Sequence, residues 1–273
     1  MQKIFDTVGP TSLYVELGSG DVTVQAADVT TTTVDVDGKN ADDVVVELRG
    51  DQIVVLAPRR TGGFFGGSQD LSVHVTLPSG SDLSTKLGSA DLHASGQLGE
   101  AKIKSGSGDI TIDGLAGDAL LESGSGDIEI DSVGGDVRVK SGSGDIEIDE
   151  IVGDASIATG SGDVSIGRAT SSVEVRSGSG DMRVREASQD VSLNTASGDL
   201  VVDKMHRGAL HAKNVSGDIR IGIPAGVPVW TDISSVTGSV YSNLKGAGQP
   251  EEGQDYIEVR AKSVSGDVAL EEL

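Results

Sequence analysis

The stretch ESGSGDIEID at 122–131 returns almost letter for letter as KSGSGDIEID at 140–149. Its aspartate recurs every 18 residues, at Asp91, Asp109, Asp127, Asp145, Asp163, Asp181 and Asp199, and once more at Asp218 after a one-residue insertion. Weaker copies lie halfway between these positions, at Asp118, Asp136, Asp154 and Asp190. The basic unit is therefore nine residues long and comes in two alternating versions. A fixed period of this kind indicates a repeat architecture.

Each aspartate is followed by a short segment in which apolar and polar residues alternate. In DIEID, Ile128 and Ile130 share one face and Glu129 points to the other. A period of two, bounded by Gly-Ser turns, predicts short β-strands. Two such strands cannot bury an apolar face alone, but coils stacked on one another bury a continuous core. The sequence therefore predicts an all-β fold, a β-solenoid (β-helix-like) with 18-residue coils of two short strands.

The two ends of the chain differ from the repeats. All aromatic residues lie outside residues 88–212, and alternating segments such as TTTVDVD and DQIVVLAP occur near the N-terminus. The open strand edges of a solenoid have to be covered, because they would otherwise pair with other chains. We therefore predict one continuous domain with an N-terminal β cap at 1–80, solenoid repeats at 81–219 and a C-terminal β cap at 220–273.

Composition narrows the classes of partner and cofactor. The formal net charge of −22 argues against nucleic acid or anionic lipid as a partner. Cysteine is absent, which excludes disulfides and thiolate metal sites. The N-terminal MQKIFDTVGP lacks the apolar run of a signal peptide, and no segment approaches the ~20 apolar residues of a membrane span. We expect a cytoplasmic protein with no cofactor and no stable membrane insertion.

The repeated aspartates admit two interpretations. Stacked carboxylates could collect Ca²⁺, a hard cation that takes 6–8 oxygen ligands. The candidate ladder consists of Asp109, Asp127, Asp145, Asp163, Asp181 and Asp199. Calcium-binding nonapeptide repeats, however, follow the order G-G-x-G-x-D, whereas the order here is S-G-S-G-D. We favour the second interpretation, in which each carboxylate accepts hydrogen bonds from turn N–H groups, and predict no metal site.

Columns of charged residues are the candidates for catalytic groups. Two columns carry both signs of charge: Asp131, Asp149 and Arg185, and Glu129, Glu147 and Arg183. Carboxylates beside a basic residue occur in polysaccharide-lyase β-helices, but a solvated surface of mixed charge explains these columns more simply. The sequence contains no HExxH, P-loop or G-x-S-x-G motif. We therefore predict that the protein is not an enzyme.

One loop stands apart from the repeats, APRRTGGFFGGSQD at 57–70. It carries Arg59 and Arg60 followed by Phe64 and Phe65, with a glycine pair on each side of the phenylalanines. Exposed aromatics beside arginines could dock a protein partner. The alternative is that the phenylalanines fold back over the first coil as part of the cap.

The SGDI and SGDV repeats, the segment IPAGVPVWTDISSVTGSVYSNL and the closing SVSGDVALEEL resemble the DUF4097 family. Its members are bacterial β-strand-repeat proteins, also called toastrack or candidate-adhesin domains. The resemblance covers nearly the whole chain and implies a link to adhesion or cell-envelope stress systems, with no established catalytic residues. We therefore expect a rigid, non-enzymatic scaffold that binds a protein whose identity the sequence does not specify. The alternative is a Ca²⁺- or carbohydrate-binding solenoid that uses the Asp and Ser/Thr ladders.

Overall fold

A computed structural model describes residues 1–58, 71–246, 248 and 253–273. These residues form two compact units, Met1–Gly135 and Asp136–Leu273. Their regular structure is β throughout, except for a short 3₁₀ helix at Ala41–Asp43. The all-β solenoid predicted from the sequence is confirmed, whereas the predicted boundaries of caps and repeats stay predictions.

The first unit begins with long strands and continues with short ones. Its strands are β1 (Gln2–Asp6), β2 (Ser12–Ala27), β3 (Thr31–Gly38), β4 (Val45–Arg49), β5 (Gln52–Leu56), β6 (Leu71–Pro78), β7 (Asp82–Leu98), β8 (Ala101–Ser105), β9 (Ile110–Leu115), β10 (Ala119–Ser125) and β11 (Ile128–Val133).

A parallel stack runs through this unit from β2 onward. One edge of β2 pairs in parallel with β7, from Ser12 beside Asp82 to Gln25 beside Ser95. The stack continues from β7 to β8 and β9, and from these to β10 and β11. On its other edge β2 pairs with β5 and β6. Antiparallel strands β3, β1 and β4 then extend this end of the stack beyond β6 and β5.

The second unit consists of short strands joined by glycine-rich corners. Its strands are β12 (Val137–Ser143), β13 (Ile146–Ile151), β14 (Ala155–Ser161), β15 (Val164–Ala169), β16 (Val173–Ser179), β17 (Met182–Ala187), β18 (Val191–Ser197), β19 (Leu200–Met205), β20 (Gly208–Lys213), β21 (Ile219–Ile223), β22 (Val229–Ser235), β23 (Val240–Ser242), β24 (Ile257–Ser263) and β25 (Val268–Glu272).

From β12 to β19 each strand pairs in parallel with the strand two places along the chain, at the 18-residue offset of the repeat. Ile166, for example, lies beside Ile148 in one neighbouring coil and beside Val184 in the other. These side chains are almost completely buried. The columns predicted to face inward are buried throughout, because alternation places every second side chain of each strand inside the stack.

The C-terminal strands do not stack in chain order. Strand β24 lies between β20 and β22, and β25 lies between β21 and β23. Strands β22 and β23, which come earlier in the chain, therefore form the outermost coil. Strands β24 and β25 follow them in the chain and form the coil beneath. The last residues of the chain belong to an interior coil.

Candidate functional site

The repeated aspartates form ladders along one corner of each unit. In the first unit the Asp91 carboxylate accepts the backbone N–H of Asp109 at 2.9 Å, and Asp109 accepts that of Asp127 at 2.9 Å. In the second unit the same bond links successive members at 2.7–2.8 Å: Asp145, Asp163, Asp181, Asp199, Asp218 and Asp267. The interpretation of these residues as hydrogen-bond acceptors is confirmed. The donor is the backbone N–H of the aspartate in the following coil.

Sequence reasoning missed two aspartates, Asp267 at the end of the second ladder and Asp21 beside the start of the first. Asp21 lies in register with Asp91, although residues 28–81 separate their strands in the chain. At the other end the Asp267 carboxylate accepts the N–H of Ser239 at 2.8 Å. Serine therefore occupies the aspartate position of the outermost coil, and the carboxylate ladder ends there. The motif GSGDV at 18–22, identical to 160–164, was the signal that could have identified Asp21.

The glycine before Asp181 is required by the close approach of the coils. Gly180 has a φ of +123°, and a Cβ atom there would lie 2.2 Å from the carbonyl oxygen of Gly162 in the preceding coil. Inside the same corner, Thr159 and Thr195 donate their hydroxyls to the carbonyls of Ser161 and Ser197 at 3.0 Å. The Ser/Thr column is therefore part of the corner and stabilises its turn.

The structure gives the ladders no coordination geometry. In the part of the chain that the structure describes, no three or more His, Asp or Glu side chains form a group that could hold a metal ion. The Ca²⁺ ligand set considered for Asp109, Asp127, Asp145, Asp163, Asp181 and Asp199 therefore has no support. Neighbouring carboxylates about 4.8 Å apart repel by about 1 kcal/mol in water, and the bonds to backbone N–H groups offset that cost.

Asp181 provides a test of whether hydrogen bonds to backbone N–H groups offset the repulsion between neighbouring carboxylates. We expect Asp181→Ala to lower the free energy of unfolding by roughly 1–2 kcal/mol, because the N–H of Asp199 loses its acceptor. Asp181→Asn keeps an acceptor oxygen and removes one like charge, so it should change stability by less than about 0.5 kcal/mol. Urea denaturation at low and high salt measures both. Equal destabilisation by the two variants would contradict the hydrogen-bond interpretation.

Charged side chains on the outer face of the second unit are mostly paired with one another. Arg185 reaches Asp149 at 2.7 Å and Glu147 at 3.6 Å, across a coil that carries Gly167. Arg183 pairs instead with Asp203 at 2.8 Å. These residues, which the sequence placed in mixed-charge columns, thus form a network of exposed ion pairs.

Glu186 is the most strongly perturbed carboxyl group on this face. Its Oε1 lies 2.7 Å from Nε2 of His206, and the cationic groups of Arg168 and Lys204 lie 3.4 and 3.6 Å from its carboxylate. The hydrogen bond from His206, with smaller contributions from the charges of Lys204 and Arg168, lowers the pKa of Glu186. Glu186 therefore lies at the centre of a cluster of three basic side chains.

Apolar and aromatic side chains are exposed at the C-terminal end of the second unit. Val236, between β22 and β23, is 76% exposed, and Val240 and Tyr241 on β23 are about half exposed. Trp230 on β22 and Tyr256 just before β24 are also about half exposed. Aromatic residues are enriched in protein interfaces, so this region is the strongest candidate for binding.

The partner-binding candidates Arg59, Arg60, Phe64 and Phe65 lie outside the described residues. Their role in docking or in capping therefore stays a prediction. In the described ranges no helix is long and apolar enough to span a membrane.

Comparison with known proteins identifies one matching family model. The model for Toastrack DUF4097 matches residues 11–169 and 135–271. Among solved structures, a proposed adhesin from Bacteroides fragilis is 13% identical, with a TM-score of 0.46 over 100% of this chain and 96% of that one. A proposed lipid-binding protein from Parabacteroides distasonis is 15% identical, with a TM-score of 0.45 over the same shares of the two chains. No curated protein matches the chain.

Proposed function

The chain belongs to the Toastrack DUF4097 family, and from this premise we propose that it is a non-enzymatic β-solenoid scaffold that binds another protein. The observation that carries the proposal is the outermost coil of the second unit, formed by β22 and β23. The family resemblance favours a partner that acts in the cell envelope. The cytoplasmic location expected from the sequence is part of the proposal and can be tested by cell fractionation.

The outermost coil offers an edge for backbone pairing. Strand β22 pairs with β24 and β23 pairs with β25, and no other strand within the described residues lies along their opposite edges. An open edge presents unpaired N–H and C=O groups, to which an extended segment of a partner can add as a further strand. Such main-chain bonds supply affinity and leave specificity to the side chains.

Apolar side chains lie beside this edge. Val236 lies in the turn before β23, and Val240 and Tyr241 lie on β23. About half or more of the surface of each residue is exposed. In a chain with 43 acidic residues, such a run of exposed apolar side chains favours protein contact.

The end of the carboxylate ladder favours a partner other than a second solenoid coil. Within the second unit the aspartate of one coil accepts the N–H of the aspartate in the next coil, but Ser239 brings no carboxylate to this position. An added coil of the same kind would therefore lack its corner acceptor. Replacement of the corner aspartate thus disfavours stacking of copies while leaving the strand edge open.

The test is quantitative capture of partners from the native host by three forms of the protein. Tyr241→Glu places a charge in the proposed contact, and Val152→Glu places the same charge at another half-exposed valine of this unit. We expect a specific partner to bind the wild type and Val152→Glu equally and Tyr241→Glu at least ~10-fold less, as expected for loss of an interface anchor. Equal capture by all three forms would refute the proposal.

A further inference from the structure

Two adjoining depressions form a groove on the outer face of the second unit. One has a volume of about 500 Å³ and is lined by Trp230 and Arg260, and the other, of about 310 Å³, is lined by Arg207 and Asp190. Tyr256 and Glu258 line both. Each volume lies in the range of about 300–1,000 Å³ that is typical of small-molecule sites.

Strand register explains why the groove exists. Glu258 of β24 lies beside Ala209 of β20 on one side and beside Trp230 of β22 on the other. The small side chain of Ala209 and the large side chain of Trp230 therefore lie on opposite sides of Glu258 on the outer face. Ala209 lines the smaller depression and the indole of Trp230 lines the larger one, with Tyr256 and Glu258 shared between the two.

The groove is aromatic, yet it also carries hydrogen-bonding groups. The rings of Trp230 and Tyr256 are 52% and 50% exposed. The guanidinium of Arg260 lies 5.5 Å from the centre of the indole ring, a distance at which a cation is attracted to the face of the ring. A ligand that fits here has an apolar face for the rings and polar groups at its margin.

Charges in the groove are paired. Arg260 contacts Glu258 at 2.6 Å, and Arg207 lies 3.7 Å from Asp255. The carboxylate of Asp190 accepts the backbone N–H of Ala209 at 2.8 Å. Because both arginines have carboxylate partners, the groove has little positive charge to attract an anion, and the acidic chain repels one further. These contacts favour an uncharged ligand rich in hydroxyl groups.

A peptide strand would find no backbone to pair with at this place. Strand β24 is paired on both edges, with β20 and with β22, so its N–H and C=O groups are already used. Binding must therefore come from side chains alone. Sugar rings suit them, because a ring has one C–H face that can lie on an aromatic side chain and a rim of hydroxyls that arginine and carboxylate groups can bind.

We propose that this groove binds a neutral oligosaccharide, with Tyr256 between two sugar subsites. The groove includes Trp230 of β22, but Tyr256 and Ala209 lie off the β22–β23 edge proposed to bind a protein, so variants at these two residues test the groove independently.

Trp230 makes the test direct, because it is the sole tryptophan of the chain. Its emission is followed while maltoheptaose, cellopentaose, laminarihexaose and tetra-N-acetylchitotetraose are titrated separately into the full chain. We expect at least one of them to shift the emission in a saturable manner. Its Kd should change less than about 2-fold between about 20 and about 500 mM NaCl, because no net charge is paired on binding. Polygalacturonate and a decaproline peptide serve as charged and peptide probes.

Variants separate this site from the protein-binding edge. Tyr256→Ala should weaken saccharide binding by about 10-fold through the lost ring contact. Ala209→Gln fills the depression without adding charge and should weaken saccharide binding by a similar factor. Tyr241→Ala should leave saccharide binding unchanged. The proposal is overturned if none of the four neutral saccharides binds, if polygalacturonate or decaproline binds more tightly than they do, or if Tyr256→Ala and Ala209→Gln both retain the wild-type Kd.

Discussion

Replacing Ile166 with aspartate (Ile166→Asp) is expected to lower the free energy of unfolding by roughly 4–5 kcal/mol, because a carboxylate is forced into the stack without a partner. Ile166 is completely buried between Ile148 and Val184 of the adjacent coils. A solenoid coil is only two strands thick, so an ionised group in its interior has no route to water that avoids displacing a neighbouring coil. Thermal and urea denaturation measure the loss.

The adjacent residue supplies a matched control. Ser165 faces outward, between Glu147 and Arg183 of the neighbouring coils. Ser165→Asp introduces the same side chain one position away, and its repulsion from Glu147 is offset by attraction to Arg183. We expect a change within about 0.5 kcal/mol. Similar losses in both variants would mean that the alternation of inward and outward side chains is wrong.

The interior of the stack could be predicted because the repeat defines two periods, one within each strand and one between coils. Alternation within DIEID determines which side chains share a face, and the 18-residue interval determines which of them lie above one another. The prediction for Ile128 therefore extended to Ile110 without further assumptions, and both are buried side by side. Local pattern and long-range register agree in such a sequence, which is why the fold follows from it.

Register could not be predicted where the chain leaves the stack. Asp21 and Asp91 are neighbours, although an insertion that contains strands β3 to β6 separates β2 from β7 in the chain. An interval counted along the chain has no meaning across such an insertion. Only the similarity of GSGD at 18–21 to GSAD at 88–91, and not the spacing, indicates that the two aspartates lie in register.

The binding surfaces were less predictable than the core. Trp230, Tyr256 and Arg207 come together because β24 takes its place between β20 and β22, and no periodic signal encodes that order. One local signal does exist. Inward positions of the outermost coil carry Thr231 and Ser242 where interior coils carry aliphatic residues. At these two positions the polar side chains are exposed, because the stack ends there and water reaches them.

Removing the C-terminal coil, residues 257–273, is expected to have the largest effect of any change considered. This coil completely buries Ile257, Val259, Val268 and Leu270. At about 1.5–3 kcal/mol for each side chain the loss is roughly 6–12 kcal/mol, the same order as the whole stability of a domain. The deletion also removes the strands with which β22 and β23 pair. We therefore expect the second unit of the truncated chain to lose cooperative unfolding in circular dichroism melts.

The order of the coils decides how large this effect is. If the coils stacked in chain order, residues 257–273 would be the outermost coil, and their removal would cause only fraying at the end. A pair of substitutions distinguishes the two orders without truncation. Val259→Asp should cost roughly 4–5 kcal/mol, whereas Thr231→Asp, at the exposed inward position beside it, should cost less than about 1 kcal/mol. The opposite ranking would place β22 inside the stack and β24 at its end.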